Sequence, residues 1–209
     1  VPPSLFRNRG YLSGLAATFL TVGAVFGMFF LVPLLLRQVH ALSTQAIGLT
    51  IFPGALSASI LGIWGGRLAD RRGSPTVVFM GQGFLAAGFL GLAFGVGDPP
   101  WVTGLCLIVG YTGFAFVQSS LAKTVSTILP SSASGMGMGF YNLTFFTSGA
   151  FGTAAFGKLL AWYQVGPNSI ALGLITASYR NLFLIAAAVV LAAGLAFIPA
   201  ARRREESTG

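Results

Sequence analysis

Charge is what this 209-residue sequence has least of: charged side chains make up 8% of it, and the only acids are Asp70, Asp98, Glu205 and Glu206. A water-soluble domain carries about a quarter charged residues, so that class is excluded. So few acids also leave no paired carboxylates for acid–base work. His40, alone in a connector, makes neither a metal cluster nor a Ser/His/Asp triad, and no Gly-rich loop ends in Lys-Ser/Thr to cradle a phosphate. Neither an enzyme nor a cofactor is expected. Cys106, the only cysteine, lies in an apolar run, so an intrachain disulfide is impossible and a small buried hydrophobe is the reading.

What the sequence has instead is apolar length. Hydrophobic residues make up 55%, and mean hydropathy is +0.82. Six runs at about 11–36, 45–66, 76–95, 102–129, 135–162 and 179–198 each reach the roughly 20 residues that cross a hydrocarbon core. The expected fold is all-α: a polytopic membrane protein whose single domain, 1–209, is a six-helix bundle in a lipid bilayer. Pro33 and Pro53-Gly54 are expected bends, Ser43 or Thr44 an N-cap, Pro130 a stop, and Gly166-Pro167-Asn168 part of a looser connector, 163–178. The chain opens Val1-Pro2-Pro3 without a leader and reads as an excerpt from a longer polypeptide, a trimmed N-terminus being the other reading.

The net charge of +8 reports topology and not nucleic acid, because the basic residues sit at the ends of apolar runs. Six crossings put both termini on one side with Arg7, Arg9, Arg67, Arg71, Arg72 and Arg202 to Arg204; Arg37, Arg180 and Lys158 lie opposite. The positive-inside rule predicts cytoplasmic termini and a multi-pass protein of the cell inner membrane.

The most charged stretch is Gly65-Gly66-Arg67-Leu68-Ala69-Asp70-Arg71-Arg72-Gly73-Ser74-Pro75. It reads as a hairpin loop in which the glycines permit close approach, Pro75 opens the next helix, and Asp70 bonds a helix start or Arg71. Four-residue stripes of small residues (Gly83, Ala87, Gly91, Gly95; Ala58, Gly62, Gly66; Ala188, Ala192, Ala196) predict packing seams. The fourth run is polar late, with Gln118, Ser119, Lys123 and Thr127. Lys123 either snorkels or faces a wet cavity; with no embedded acid in the chain, its partner is expected to be a substrate, backbone carbonyls or another polypeptide segment. The fifth run mixes Asn142, Thr144, Thr147 and Ser148 with Phe140, Tyr141, Phe145, Phe146 and Phe151, a composition that suits an amphipathic organic ligand or internally bonded helix packing.

Residues 66–73, Gly-Arg-Leu-Ala-Asp-Arg-Arg-Gly, resemble the short-loop signature of the major facilitator superfamily. The run from Leu31 to Arg72, with Phe52-Pro53-Gly54 and Gly65-Gly66, is similar to the second half of fourteen-span drug:proton antiporters, among them Gram-positive tetracycline efflux proteins. Lys123 to Ile128 and Asn142 to Gly152 resemble later helices of the same proteins. The resemblance implies the C-terminal half of a proton-coupled multidrug or antibiotic exporter working by alternating access. Its partners would be the missing N-terminal half, an amphipathic drug and protons. It implies a conformational gating loop of Gly66, Arg67, Asp70, Arg71 and Gly73, and a pathway containing Gln118, Lys123, Thr127, Asn142, Phe145 and Ser148. One departure stands out: where tetracycline exporters carry an acid in the Asn142 helix, this chain has Gly149. The alternative is a half-length membrane protein that dimerises or serves as a non-transporting partner.

Overall fold

The computed structural model describes residues 9–128, 134–163 and 172–208. Within them lie six helices: α1 Arg9–Gln38, α2 Thr44–Arg72, α3 Ser74–Phe94, α4 Pro100–Ile128, α5 Ser134–Tyr163 and α6 Leu172–Thr208. The expected N-terminal anchor at Arg7, the Pro130 stop, the Gly166-Pro167-Asn168 turn and the side chains of Arg202 to Arg204 lie outside the described residues. Among the described residues, five helices are long and apolar enough to cross a membrane. The exception, α5, is as long as α1 at 30 residues, but its hydroxyls, Asn142 and glycines dilute its hydropathy. The six together form an all-α membrane-spanning bundle.

Helix boundaries differ from the apolar runs in two informative places. The backbone of α6 begins at Leu172, so the later part of the expected connector is helical, and it continues through the arginines to Thr208. The arginines therefore end the apolar span, not the helix. More consequentially, α2 does not stop at its paired glycines. It runs to Arg72, and α3 starts at Ser74, so the expected loop is helix except for Gly73. A connection this short requires the backbone of Gly73 at φ 85°, a conformation open to glycine, followed by Pro75 in the first turn of α3. At the other end of α2, Ser43 accepts a hydrogen bond from the Ala46 N–H and caps the helix.

The packing has an internal two-fold pattern. The α1 helix packs on α5 and α6, α4 packs on α2 and α3, α3 meets α6 across the centre, and α1 touches α4. Exchanging α1-α2-α3 with α4-α5-α6 leaves this pattern unchanged. Because α1 and α4 are separated by an odd number of crossings, the two triplets are inverted, as in transporter folds built from nested 3+3 repeats. The centre is filled by Tyr11, Leu31, Leu35, Phe89, Phe183 and Phe197, all at most 1% exposed. Within it the Gln82 Nε2 of α3 donates to the Thr21 hydroxyl of α1 at 2.8 Å, while the buried Gln82 Oε1 has no protein partner among the described residues.

Two of the three small-residue stripes were placed on the wrong face. On α3 the close approach to α4 uses Gly81 and Gly88, which meet Gly113 and Gly110, while Gly83 faces open space and Ala87 is exposed; Gly91, against Cys106, and Gly95, against Val102, are the stripe members that do pack. On α6, Ala188 and Ala192 are exposed, and the buried alanines are Ala186, Ala187, Ala193, Ala200 and Ala201. A helix rich in small residues offers several four-residue stripes, and only the neighbours select one. The α2 stripe is nearer the mark: a Cβ added at Gly62 would lie 3.4 Å from that of Ala115. Gly66 meets nothing, and the adjacent Gly54, Gly65 and Ala69 make the closest contact.

Candidate transport surface and its charged latch

The α2 and α4 helices run side by side in the same direction, Gly54 against Leu107, Gly62 against Ala115 and Gly65 against the ring of Phe116. One turn further, Ala69, Val77 and Phe116 form a small separate core. This register carries Asp70 to Lys123 of α4, and the two form an ion pair. The sequence reading gave Lys123 a substrate, backbone carbonyls or another polypeptide segment as partner and no acid of this chain, since Asp70 was assigned to a loop. The correction follows from the helix: because α2 continues past Gly66, Asp70 stays on the face that packs against α4. The pair is partly open to solvent, with side-chain exposures of 38% for Lys123 and 65% for Asp70. Such pairs contribute about 0–1 kcal/mol in water, enough to bias a conformational equilibrium by about fivefold and too little to lock it. Arg67 and Arg71 are exposed and have no carboxylate partner among the described residues. Gly66 faces open space.

The expected pathway residues fall into three groups. Lys123 and Thr127 lie on the stripe of α4 that turns toward α2; the Thr127 hydroxyl donates to the Lys123 carbonyl at 3.1 Å. Gln118 is five residues from Lys123, about 140° around the helix. It shares a side with Tyr111 and Phe114, and that side meets α1: Phe29 stacks at a tilt on Tyr111, centroids 5.3 Å apart, and edge-on to Phe114 at 6.1 Å. Phe29 also meets Phe26, which meets Phe145 of α5 edge-on at 6.0 Å, and Phe145 meets Phe146. Phe26, Phe29, Tyr111, Phe114 and Phe145 are half-buried, and Phe146 is exposed. Asn142 is exposed on the same stripe of α5, three residues before Phe145. Ser148 stands apart: it is fully buried, its hydroxyl donates to the Phe145 carbonyl at 2.9 Å, and it packs where α5 crosses Gly23 of α1.

A continuous aromatic surface therefore crosses α5, α1 and α4, with an amide at each end, Asn142 and Gln118. Sequence reasoning found both amides and Phe145 but missed Phe26, Phe29, Tyr111 and Phe114. Their signal was present, as Phe26 and Phe29 stand at i, i+3, and Tyr111, Phe114 and Gln118 at i, i+3, i+7. Edge-to-face ring pairs contribute about 0.5–1.5 kcal/mol each beyond burial, so the surface holds its own geometry. Gly149 bears on the chemistry here. A side chain added at that position would meet the ring of Phe26 at 2.8 Å, so Gly149 gives the room in which Phe26 reaches Phe145. An acid there is incompatible with this aromatic arrangement.

The profile of the Major Facilitator Superfamily matches residues 2–153. The chain belongs to this superfamily. It is 32% identical over 172 residues to the Multidrug resistance protein B homolog of Mycobacterium tuberculosis (strain ATCC 25618 / H37Rv), covering 79% of this chain and 31% of that protein. It is 34% identical over 110 residues to the Multidrug resistance protein MdtH of Cronobacter sakazakii, covering 51% of this chain and 27% of that protein. The chain thus spans less than a third of the length of these curated relatives. Superfamily members are transport proteins and not enzymes, in keeping with a sequence that carries no catalytic constellation.

Proposed function

We propose that the chain is the C-terminal six-helix half of a proton-coupled multidrug exporter of the fourteen-span antiporter kind, alternating access against an N-terminal half. The observation that carries this reading is the half-exposed aromatic surface running from Phe145 through Phe26 and Phe29 to Tyr111 and Phe114. An uncharged wall of rings with an amide at either end takes the body of an amphipathic organic molecule by stacking and dispersion, and tolerates many shapes because every planar compound offers a face. The relatives named for multidrug resistance support the same class of cargo. With Gly149 packed under Phe26, tetracycline specificity and proton coupling do not reside at that position, and coupling acids belong to the N-terminal half.

In this reading Asp70 and Lys123 form the gate, with Gly73 as its one-residue hinge, and Arg67 and Arg71 stand ready on the same cytoplasmic end to accept the carboxylate when α2 moves. The test is drug accumulation in energised cells expressing the full-length protein. Phe26→Ala and Tyr111→Ala each raise the concentration of drug needed for half-maximal efflux by up to about tenfold, the equivalent of one lost ring contact. Unchanged efflux in both variants, at verified membrane levels, removes the aromatic wall from the pathway.

A further inference from the structure

The α5 and α6 helices scarcely meet; both lean on α1. Between them runs a groove of about 200 Å³, floored by Leu20 and Gly23 and walled by Ala155 and Leu159 of α5 and Ile185 and Val189 of α6. Its lining is wholly apolar. On α1 the groove adjoins the drug surface: Phe19 of its lining and Phe26, at i and i+7, share a face, while Leu20 stands about 180° from Phe29. Two-fold exchange maps this gap onto the one between α2 and α3, where Ala69, Val77 and Phe116 pack together. The α5–α6 gap has no such plug among the described residues.

Ala155, Lys158 and Trp162 stand at i, i+3 and i+7 on α5, so the wall of the groove leads within two turns to a cation and an interfacial ring. Lys158 is exposed and has no carboxylate partner among the described residues; Trp162 is 76% exposed. An apolar slot with an unpaired ammonium one turn along the helix from its wall is complementary to an amphipathic anion, and in a bilayer the abundant molecule of that chemistry is a lipid. We propose that this groove binds one anionic phospholipid, an acyl chain lying between α5 and α6 over Gly23 and the phosphate held by Lys158 beside Trp162.

The experiment uses the full-length protein with Trp162 as its only tryptophan, reconstituted in phosphatidylcholine vesicles containing brominated phosphatidylglycerol or brominated phosphatidylcholine at equal mole fraction. Bromine quenches the indole on contact. The expected result is about fivefold higher relative affinity for the anionic lipid, the usual effect of one Lys near an anionic headgroup. Lys158→Gln abolishes the preference and Lys158→Arg restores it. Ala155→Phe, which fills the slot, lowers quenching by the anionic lipid to the level set by the surrounding bilayer. Equal quenching by the two lipids overturns the proposal, as does a preference that survives Lys158→Gln. Relief of quenching by an exported drug assigns the groove to cargo, and relief that grows with protein density assigns it to a second copy; either also overturns it. The readout is independent of transport.

Discussion

The two halves of the bundle share a topology and close themselves by different means. The helices pack as two spatial groups, α2-α3-α4 around α4 and α1-α5-α6 around α1; in the α4 triplet so defined the tight contact is with α3, where Gly81 and Gly88 meet Gly113 and Gly110 backbone to backbone, while α2 is held by Gly65 under Phe116 and by the Asp70–Lys123 pair. In the α1 triplet the tight contact is with α5, at Gly23 and Gly152, and α6 packs through larger side chains such as Phe183 and Phe197. Two-fold exchange maps α5 onto α2, so equivalent helices are seated by different means, one by backbone contact and the other by a ring and an ion pair. Among the described residues, three of α2 are buried against seven of α5. Close backbone contact is rigid because nothing in it can rotate away, whereas a ring and an exposed ion pair can re-form after movement. The comparison assigns α2 the mobile role and α5 the fixed one.

The most severe test strikes the fixed side. A Cβ at Gly152 would fall on the carbonyl and Cα of Gly23, main-chain atoms that cannot step aside. Gly152→Leu therefore forces α1 and α5 apart, and a cost above about 3 kcal/mol is expected. Detergent-solubilised protein should lose its monodisperse peak in size-exclusion chromatography. If Gly152→Leu runs as wild type, the glycine crossing is not what seats α5.

Next in size is the hinge. With φ at 85°, Gly73 occupies a region that side chains rarely enter, so Gly73→Ala costs about 1–3 kcal/mol. The strain sits at the junction of α2 and α3 and leaves the α1 triplet untouched. A thermal-stability assay is expected to show a lower midpoint while the variant still inserts and remains monodisperse. An unchanged midpoint would mean that the junction already relaxes readily.

The ion pair comes third. Asp70→Asn and Lys123→Gln each remove an interaction of about 1 kcal/mol or less, shifting the balance of α2 positions by up to about fivefold while stability barely changes. In a double-mutant cycle on drug efflux by the full-length protein, the two effects should not add, because each variant breaks the same pair. Additive effects would separate Asp70 from Lys123 in the working cycle.

The sequence made the helices, the N-cap at Ser43, the Pro75 start and the superfamily legible, because these depend on local composition and short-range order. The ion pair was not legible. Charged residues around Gly65-Gly66 look like a loop when helix ends are inferred from hydropathy, yet Arg67 to Arg72 have no helix breaker among them, and the helix continues. Amphipathic periodicity gave no help with α3 or α6, whose faces are apolar all round, as befits helices with lipid on one side and protein on the other. Burial in such helices is decided by the neighbours. The aromatic surface was half legible for the same reason: Phe145 was visible beside Asn142, but its continuation lies on α1 and α4, more than thirty residues away in sequence at the nearest ring, Phe114.

The smallest expected effect tests that last point directly. Gly83 heads the most regular small-residue stripe in the sequence, and a helix-packing seam there would make it sensitive to any added atom. In the structure a Cβ at Gly83 meets nothing within 4 Å, and the residue is exposed on α3. Gly83→Ala is expected to change stability by no more than about 0.5 kcal/mol, the usual range for a surface substitution. A Cβ added at Gly81, two residues away, would fall 2.7 Å from the Gly113 carbonyl oxygen and from the Val117 side chain. Thermal midpoints of Gly83→Ala and Gly81→Ala measured in parallel should therefore separate, the first at wild type and the second below it. If Gly83→Ala proves the more damaging, the face of α3 that meets α4 has been misplaced by about half a turn, and the close glycine contact that distinguishes the α4 triplet falls with it.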